Sequence, residues 1–168
     1  MAAGGGATTS DAVPGLVIDR VSWGDLRAVA RVQRSSFRPG LAYGLAALGL
    51  LRVFPGVVFL VARLPGRPVA GCVIGDRHRG NLRIINLAVA PDARRQGIGS
   101  ALLRAAEAAM PAGDVVLIAE EANTGAQALY LREGYVWSGF ARDYYGAGRH
   151  GIWMKKARVG ENDRTIRV

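Results

Sequence analysis

The run Arg94-Arg95-Gln96-Gly97-Ile98-Gly99-Ser100 has the residue types and spacing to bind an anion. Gly97 and Gly99 carry no Cβ, so a ligand can approach their backbone amides closely. Apolar or small residues recur at Ile98, Leu102, Ala105 and Ala109, a helical spacing. A helix starting there points its free N–H groups and positive dipole end at the loop. Arg94 and Arg95 stand beside it, which completes a site suited to a pyrophosphate. A Walker-type loop is excluded, because Gly99-Ser100 follows with no lysine. A dinucleotide fingerprint needs a third glycine where Leu102 stands, and a strand directly before Gly97. Glu120 lies at a distance suited to a ribose contact, which keeps that reading open.

A second chemistry-bearing segment follows, Asn123-Thr124-Gly125-Ala126-Gln127-Ala128-Leu129-Tyr130-Leu131-Arg132-Glu133-Gly134-Tyr135. Asn123 suits the N-cap of a helix. Gly134 suits its C′ position. Tyr130 carries a phenol that stays protonated at neutral pH and can act as an acid.

The first segment resembles the acyl-CoA motif R/Q-x-x-G-x-G/A of the GCN5-related N-acetyltransferases (GNAT), with Leu87-Ala88-Val89 and Pro91 ahead of it as in that family. The second is similar to the family's N-x-x-A-x-x-L-Y-x-x-x-G-F/Y. The resemblance runs from about Val17 to Lys156. It implies an α/β GNAT fold, a single mixed, mostly antiparallel sheet flanked by helices. It implies acetyl-CoA as co-substrate and an amine as acceptor. Transfer from a thioester to an amine needs a polarised carbonyl, a neutral amine, a proton for the leaving thiolate and two reactants held in line. By the resemblance, the strand amides of Leu87, Ala88 and Val89 hold the cofactor arm and the carbonyl oxygen. Arg94, Arg95, Gln96, Gly97, Ile98, Gly99 and Ser100 cradle the pyrophosphate. Asn123 contacts the arm, and Tyr130 protonates the thiolate.

The general base is less directly marked. Related bacterial enzymes that acetylate ribosomal proteins carry a glutamate where this chain has Ile118. Strand alternation puts Glu120 on the same face as Ile118, so Glu120 is the expected substitute. Glu121, Asp143 and a base acting through water are the alternatives. Tyr144-Tyr145-Gly146-Ala147-Gly148-Arg149-His150-Gly151-Ile152-Trp153-Met154 resembles the Y-Y-x-x-G-E-D-A-x-x-M segment of N-terminal acetyltransferases. Tyr144 and Tyr145 are therefore expected to bind the acceptor. Arg149-His150-Gly151 replaces Glu-Asp-Ala, which swaps acidic groups for basic ones. The expected acceptor is a protein N-terminal α-amine, a ribosomal protein among the candidates. A lysine or small-molecule amine acetyltransferase of the same fold is one alternative. A non-catalytic basic module that binds CoA or nucleic acid is another.

These groups need elements to position them. Periodicity and turn residues predict a strand over 16–21, a helix to about Ser35 that opens on a Ser22/Asp25 capping box, and a helix over 42–53. A hairpin of 57–62 and 68–75 turns around Pro65-Gly66-Arg67. Then come a central strand over 82–89, the anion-site helix over 97–110, and a buried strand over 115–119. A helix over 123–133 and strands over 135–141 and 151–156 complete the order β-α-α-β-β-β-α-β-α-β-β. Residues 1–14 read as a disordered lead-in, 15–157 as the domain and 158–168 as a polar tail.

Composition bounds the rest. A chain of 168 residues, 50% hydrophobic, buries one core. The single Cys72 allows no internal disulfide, which points to a reducing, cytoplasmic setting. No apolar run reaches the ~20 residues of a membrane span. His78 and His150 have no cysteine or histidine cluster around them, so no metal is expected. The net charge of +9 fits an arginine-rich surface and a polyanionic cofactor; no basic patch interleaved with aromatics argues for nucleic acid.

Overall fold

The strand Asn81–Val89 alternates half-buried and buried side chains along its whole length, and the rest of the fold is arranged around it. In the computed structural model, which describes residues 13–158, it is the fourth of seven strands in one sheet. The elements in chain order are β1 (Val17–Arg20), α1 (Leu26–Ser36), α2 (Leu45–Val53), β2 (Val57–Leu64), β3 (Arg67–His78), β4 (Asn81–Val89), α3 (Ile98–Ala109), β5 (Val115–Glu120), α4 (Thr124–Arg132), β6 (Val136–Ala141) and β7 (Gly151–Lys156). The sheet order is β1-β2-β3-β4-β5-β7-β6. Every pairing is antiparallel except that of β4 with β5. This is the mixed, mostly antiparallel sheet that the sequence implies.

Helices cover both faces. Buried Cys72 of β3 faces α1, where the Gln33 amide donates to its Sγ at 3.3 Å. The adjacent Gly71 faces α3, and a Cβ there would come within 3.1 Å of Leu102 Cδ1. The core between sheet and helices holds Val29, Val61, Val73, Ile74, Leu82, Leu102, Leu103 and Met154. Burial of this apolar surface is the dominant favourable term in folding.

Two features of β4 shape the site. It pairs with β5 only over Leu82–Ile84, opposite Val115–Leu117, so the C-terminal halves of the two strands are not bonded to each other. Against β3, Ile74 pairs with Asn86 and Gly75 with Ile84, which leaves Ile85 as a bulge. A bulge bends its strand and increases the local twist, here where the two strands part.

Several boundaries differ from expectation. The second helix begins at Leu45 rather than Ala42, because Gly44 is extended (φ −77°, ψ 170°) and Tyr43 stays in the connecting loop. β3 runs on to His78, and β4 starts at Asn81. The hairpin between them turns on Arg79 (φ 50°) and Gly80 (φ 83°), a two-residue turn with both centres left-handed. Ser22 and Asp25 form the capping contact, but over a short 3-10 turn, Trp23–Asp25, ahead of α1. Arg158, assigned by composition to the tail, donates to the carbonyls of Glu107, Met110, Ala112 and Gly113. It thereby satisfies carbonyls at the C-terminal end of α3. Val13, from the expected lead-in, packs against the core and its carbonyl accepts the Leu16 N–H at 3.1 Å; residues 1–12 and 159–168 lie outside the described residues.

Candidate active site

The glycine loop lies between the end of β4 and α3. A short 3-10 turn, Pro91–Ala93, ends β4, and Gly97 is the N-cap residue of α3. Gly97 takes φ 85° and Arg95 φ 62°, so the loop curls back before the helix starts. Gly97 adopts this conformation with no Cβ to clash, whereas Arg95 takes it at a steric cost. The Arg94 Nε donates to the Val89 carbonyl at 3.0 Å, and the Gln96 amide reaches the Asp92 carbonyl at 3.5 Å. Ile98 is buried, so only its backbone can face a ligand.

Gly99 has a different task. A Cβ there would come within 3.0 Å of Leu129 Cδ2, so its bare Cα lets α4 pack against α3. Ser100 is also engaged inside the fold. Burial raises the pKa of Glu133, but hydrogen bonds from Arg104 and Ser100 outweigh it and hold the carboxyl below its usual range. Arg104 grips that carboxylate with two bonds, at 2.9 and 3.0 Å.

The parted strands supply the second part. The Ala90 N–H bonds the Ala70 carbonyl of β3 at 2.9 Å. The Val89 carbonyl instead accepts the Ser36 hydroxyl, at 3.2 Å, besides Arg94. Across the gap, Asn123 caps α4 by accepting the Ala126 N–H at 3.1 Å. A cleft of about 270 Å³ opens between the end of α1 and the end of β5, lined by Ser36, Phe37, Arg38, Leu41, Glu120, Ala122 and Asn123. The structure thus brings Glu120 and Asn123 together in one cleft. Tyr130 is buried on α4 and packs against Tyr135, with ring centroids 5.8 Å apart. Burial raises its pKa well above the ordinary phenol value, so it keeps its proton at neutral pH.

Glu120 is held by Arg149 in a bidentate pair, Nε to Oε1 at 2.7 Å and Nη2 to Oε2 at 2.9 Å. Those hydrogen bonds pull its pKa down, and the charge of Arg38 adds to the shift. Glu120 is thus firmly ionised and a weak base. Ile118 shares its face and fills the space beside Gly151, where a Cβ would meet Ile118 Cδ1 at 2.4 Å. An alanine at position 151 has no room while isoleucine stands at 118. Of the alternative acids, Asp143 is engaged within its own loop. Asp143 Oδ1 accepts the Gly148 N–H at 2.7 Å. Glu121 lies beyond the end of β5, and its carbonyl accepts the Gln127 amide at 2.7 Å.

The two loop tyrosines divide their roles. The Tyr145 hydroxyl donates to the Ile118 carbonyl at 3.1 Å, and burial pushes its pKa to about 12. It fastens the loop to β5. Tyr144 is exposed and rests edge-on against Trp153, at 6.1 Å. His150 turns inward: its Nδ1 accepts the Asp143 N–H at 3.0 Å and its ring lies 5.2 Å from Phe140. Because Nδ1 is an acceptor there, the 3.5 Å approach of the Asp143 carboxylate is not an ion pair.

Sequence reasoning missed Tyr43. It lies in the α1–α2 loop, within electrostatic reach of Tyr144, Arg83 and Asp76, and burial raises its pKa. Strand register puts Arg83, Val116, Ile118, Glu120 and Trp153 on one half-buried face of the sheet, the face that also carries α1. The α1–α2 loop and the β6–β7 loop meet over it. The sequence signal was an aromatic in a glycine-flanked loop, too common to single out. Among the described residues no group of three or more His, Cys, Asp or Glu is placed to hold a metal ion. No helix there is long and apolar enough to cross a membrane.

Comparison with known proteins identifies the family and the fold. The model of the acetyltransferase (GNAT) domain family matches residues 55–137. An uncharacterized N-acetyltransferase of Methanocaldococcus jannaschii is 33% identical over 147 residues, 85% of this chain and 92% of that protein. The crystal structure of Ard1 from Thermoplasma volcanium superposes with a TM-score of 0.76 at 27% identity, over 87% of this chain and 99% of that one. The ribosomal-protein-S18-alanine N-acetyltransferase of Escherichia coli shares the fold, with a TM-score of 0.75 at 22% identity over 88% and 97% of the two chains. The family model and the archaeal relative point the same way: the chain belongs to the GNAT family as an acetyl-CoA-dependent N-acetyltransferase.

Proposed function

We propose that the acceptor is the α-amine of a protein or peptide N-terminus, laid on the half-buried sheet face between the α1–α2 and β6–β7 loops. The observation that carries this reading is the cleft shared by Leu41 of the α1–α2 loop, Glu120 and Asn123, onto which the Glu120–Arg149 ion pair draws the β6–β7 loop. Tyr43 and Tyr144 add aromatic surface to these two loops, which suits an extended chain end better than a compact amine. The likeness to Ard1 and to a ribosomal-protein alanine acetyltransferase favours the same choice.

In this reading the free edge of β4 at Leu87 and Val89 holds the cofactor arm in line with the acceptor, with Ala88 turned into the core. Asn123 closes the other side of the arm. The Arg94–Ser100 loop binds the pyrophosphate through the amides at the start of α3 and the Arg94 and Arg95 charges, with Gly97 shaping the curl. The amine attacks the thioester carbon, the C–S bond breaks, Tyr130 gives its proton to the departing thiolate, and the proton still carried in excess by the new amide nitrogen passes through water to restore the tyrosine. Glu120 draws the incoming ammonium by charge, and its proton leaves through water, because Arg149 keeps the carboxylate a poor proton acceptor. Arg38 leaves the mouth with a positive charge beyond the neutral Glu120–Arg149 pair.

The test is thiol release from acetyl-CoA with peptides whose N-termini are free or blocked. Turnover of free N-termini supports the reading. Turnover only of blocked, lysine-containing peptides would replace it with lysine acetylation.

A further inference from the structure

One buried polar contact has no part in the steps above. Gln33 of α1 is fully buried and Asn86 of β4 is 7% exposed. Their amides are paired reciprocally: Gln33 Nε2 donates to Asn86 Oδ1 at 2.6 Å, and Asn86 Nδ2 donates to Gln33 Oε1 at 3.1 Å. The remaining contact of Gln33 is to Cys72 Sγ, a thiol that burial pushes up to about 11 and keeps neutral. Two apolar side chains of similar volume would fill this space with less desolvation cost. A satisfied polar pair in a core brings geometric uniqueness rather than extra stability.

Its position shows what geometry is at stake. Asn86 directly follows the Ile85 bulge, in the first residues of β4 that have left β5. With no hydrogen bonds to β5 there, the path of this half-strand depends on β3 and on what it touches across the sheet face. Further along, Ser36 of α1 bonds the Val89 carbonyl, so α1 holds β4 at two points that flank Leu87.

We propose that Gln33 and Asn86 are positioning residues for acetyl transfer: their paired amides fix the bulged half of β4 to α1 and so set the line along which its free edge meets the cofactor arm. The proposal rests on the reading that this edge binds the arm. It requires that the pair be worth more to catalysis than to folding.

The variants are Gln33→Leu, Asn86→Leu and the double variant, each followed by melting temperature, acetyl-CoA affinity by calorimetry, and kcat and KM for both substrates. Each single change orphans one buried amide and should lower the melting temperature. The double change leaves no orphan and should recover most of it. Under the proposal the double variant stays defective, with acetyl-CoA bound more weakly and kcat lowered by about 10- to 100-fold, the scale of an ångström-level misplacement. A double variant with wild-type affinity and kcat would reduce the pair to a packing detail and overturn the proposal. If the double variant does not fold, Gln33→Asn keeps the amide but withdraws it by one methylene. It should show the same kinetic loss, and wild-type kinetics there would overturn the proposal equally. Gly97→Glu serves as the separate check on the cofactor site. Undiminished acetyl-CoA affinity in that variant would refute the site itself, whatever Gln33 does.

Discussion

Arg149 closes a two-pronged ion pair on Glu120, 2.7 and 2.9 Å long, and so ties the β6–β7 loop to the end of β5. The same guanidinium donates from Nη1 to the Tyr145 carbonyl at 3.1 Å, while the Tyr145 hydroxyl is fixed to Ile118. One arginine thus sets the ionisation of the carboxylate at the cleft and the shape of the loop above it. Arg149→Met should release both. The Glu120 pKa, followed by NMR, should rise toward the ordinary carboxylate value, and KM for the acceptor should rise more than KM for acetyl-CoA. An unmoved Glu120 titration would show that Arg149 is not what holds its pKa down.

Tyr130→Phe removes only a hydroxyl from a buried ring, so folding should change little. If that hydroxyl protonates the thiolate, kcat falls by about 10²–10⁴-fold with nearly unchanged acetyl-CoA affinity. Steady-state kinetics with calorimetry separates this from a packing role, in which the Phe variant is fully active.

The two loop glycines should behave differently. Gly97→Glu puts a side chain and a negative charge on a left-handed residue at the helix start, and acetyl-CoA binding should be lost while the fold survives. Gly99→Ala presses on Leu129 of α4. It should lower the melting temperature slightly yet still bind cofactor. Equal binding by both variants would contradict the division of labour.

A mouth carrying Arg38 beside the neutral Glu120–Arg149 pair should favour acceptors with an acidic residue near the start. Peptides beginning with Ser, Ala, Met or an acidic residue, compared at low and high salt, give the measurement. The preference for acidic starts should fade as salt screens it. A preference that salt does not touch would assign the selection to shape instead.

Asp25 provides an acid-stability marker far from the chemistry. Hydrogen bonds from Arg63, at 2.8 and 2.9 Å, and from Ser22 hold its carboxyl far below the usual range. A depressed folded pKa means the contribution is present above the unfolded value of ~3.9 and lost as pH falls through the folded one. Asp25→Asn should therefore melt lower than wild type at pH 7, and the gap should close only in strong acid. A gap that is constant down to pH 2 would rule out this linkage.

The sequence by itself determined the element order, the family and the glycine loop, because these depend on local features: periodicity, turn residues and the spacing of Arg94, Gly97 and Gly99. It also placed Asn123 as a helix cap and Glu120 on the face of Ile118, since capping and strand alternation are properties of neighbouring residues. Tertiary structure decided the rest through contacts between distant positions. Nothing in the chain near Glu120 announces Arg149, nothing near Gly99 announces Leu129, and nothing near Tyr145 shows that its hydroxyl belongs to Ile118. Tyr43 acquires meaning only when the α1–α2 loop reaches Tyr144. The Gln33–Asn86 pair likewise joins residues 53 positions apart. Side-chain partners of this kind are set by the packing of helices on the sheet, and that packing depends on the whole core at once.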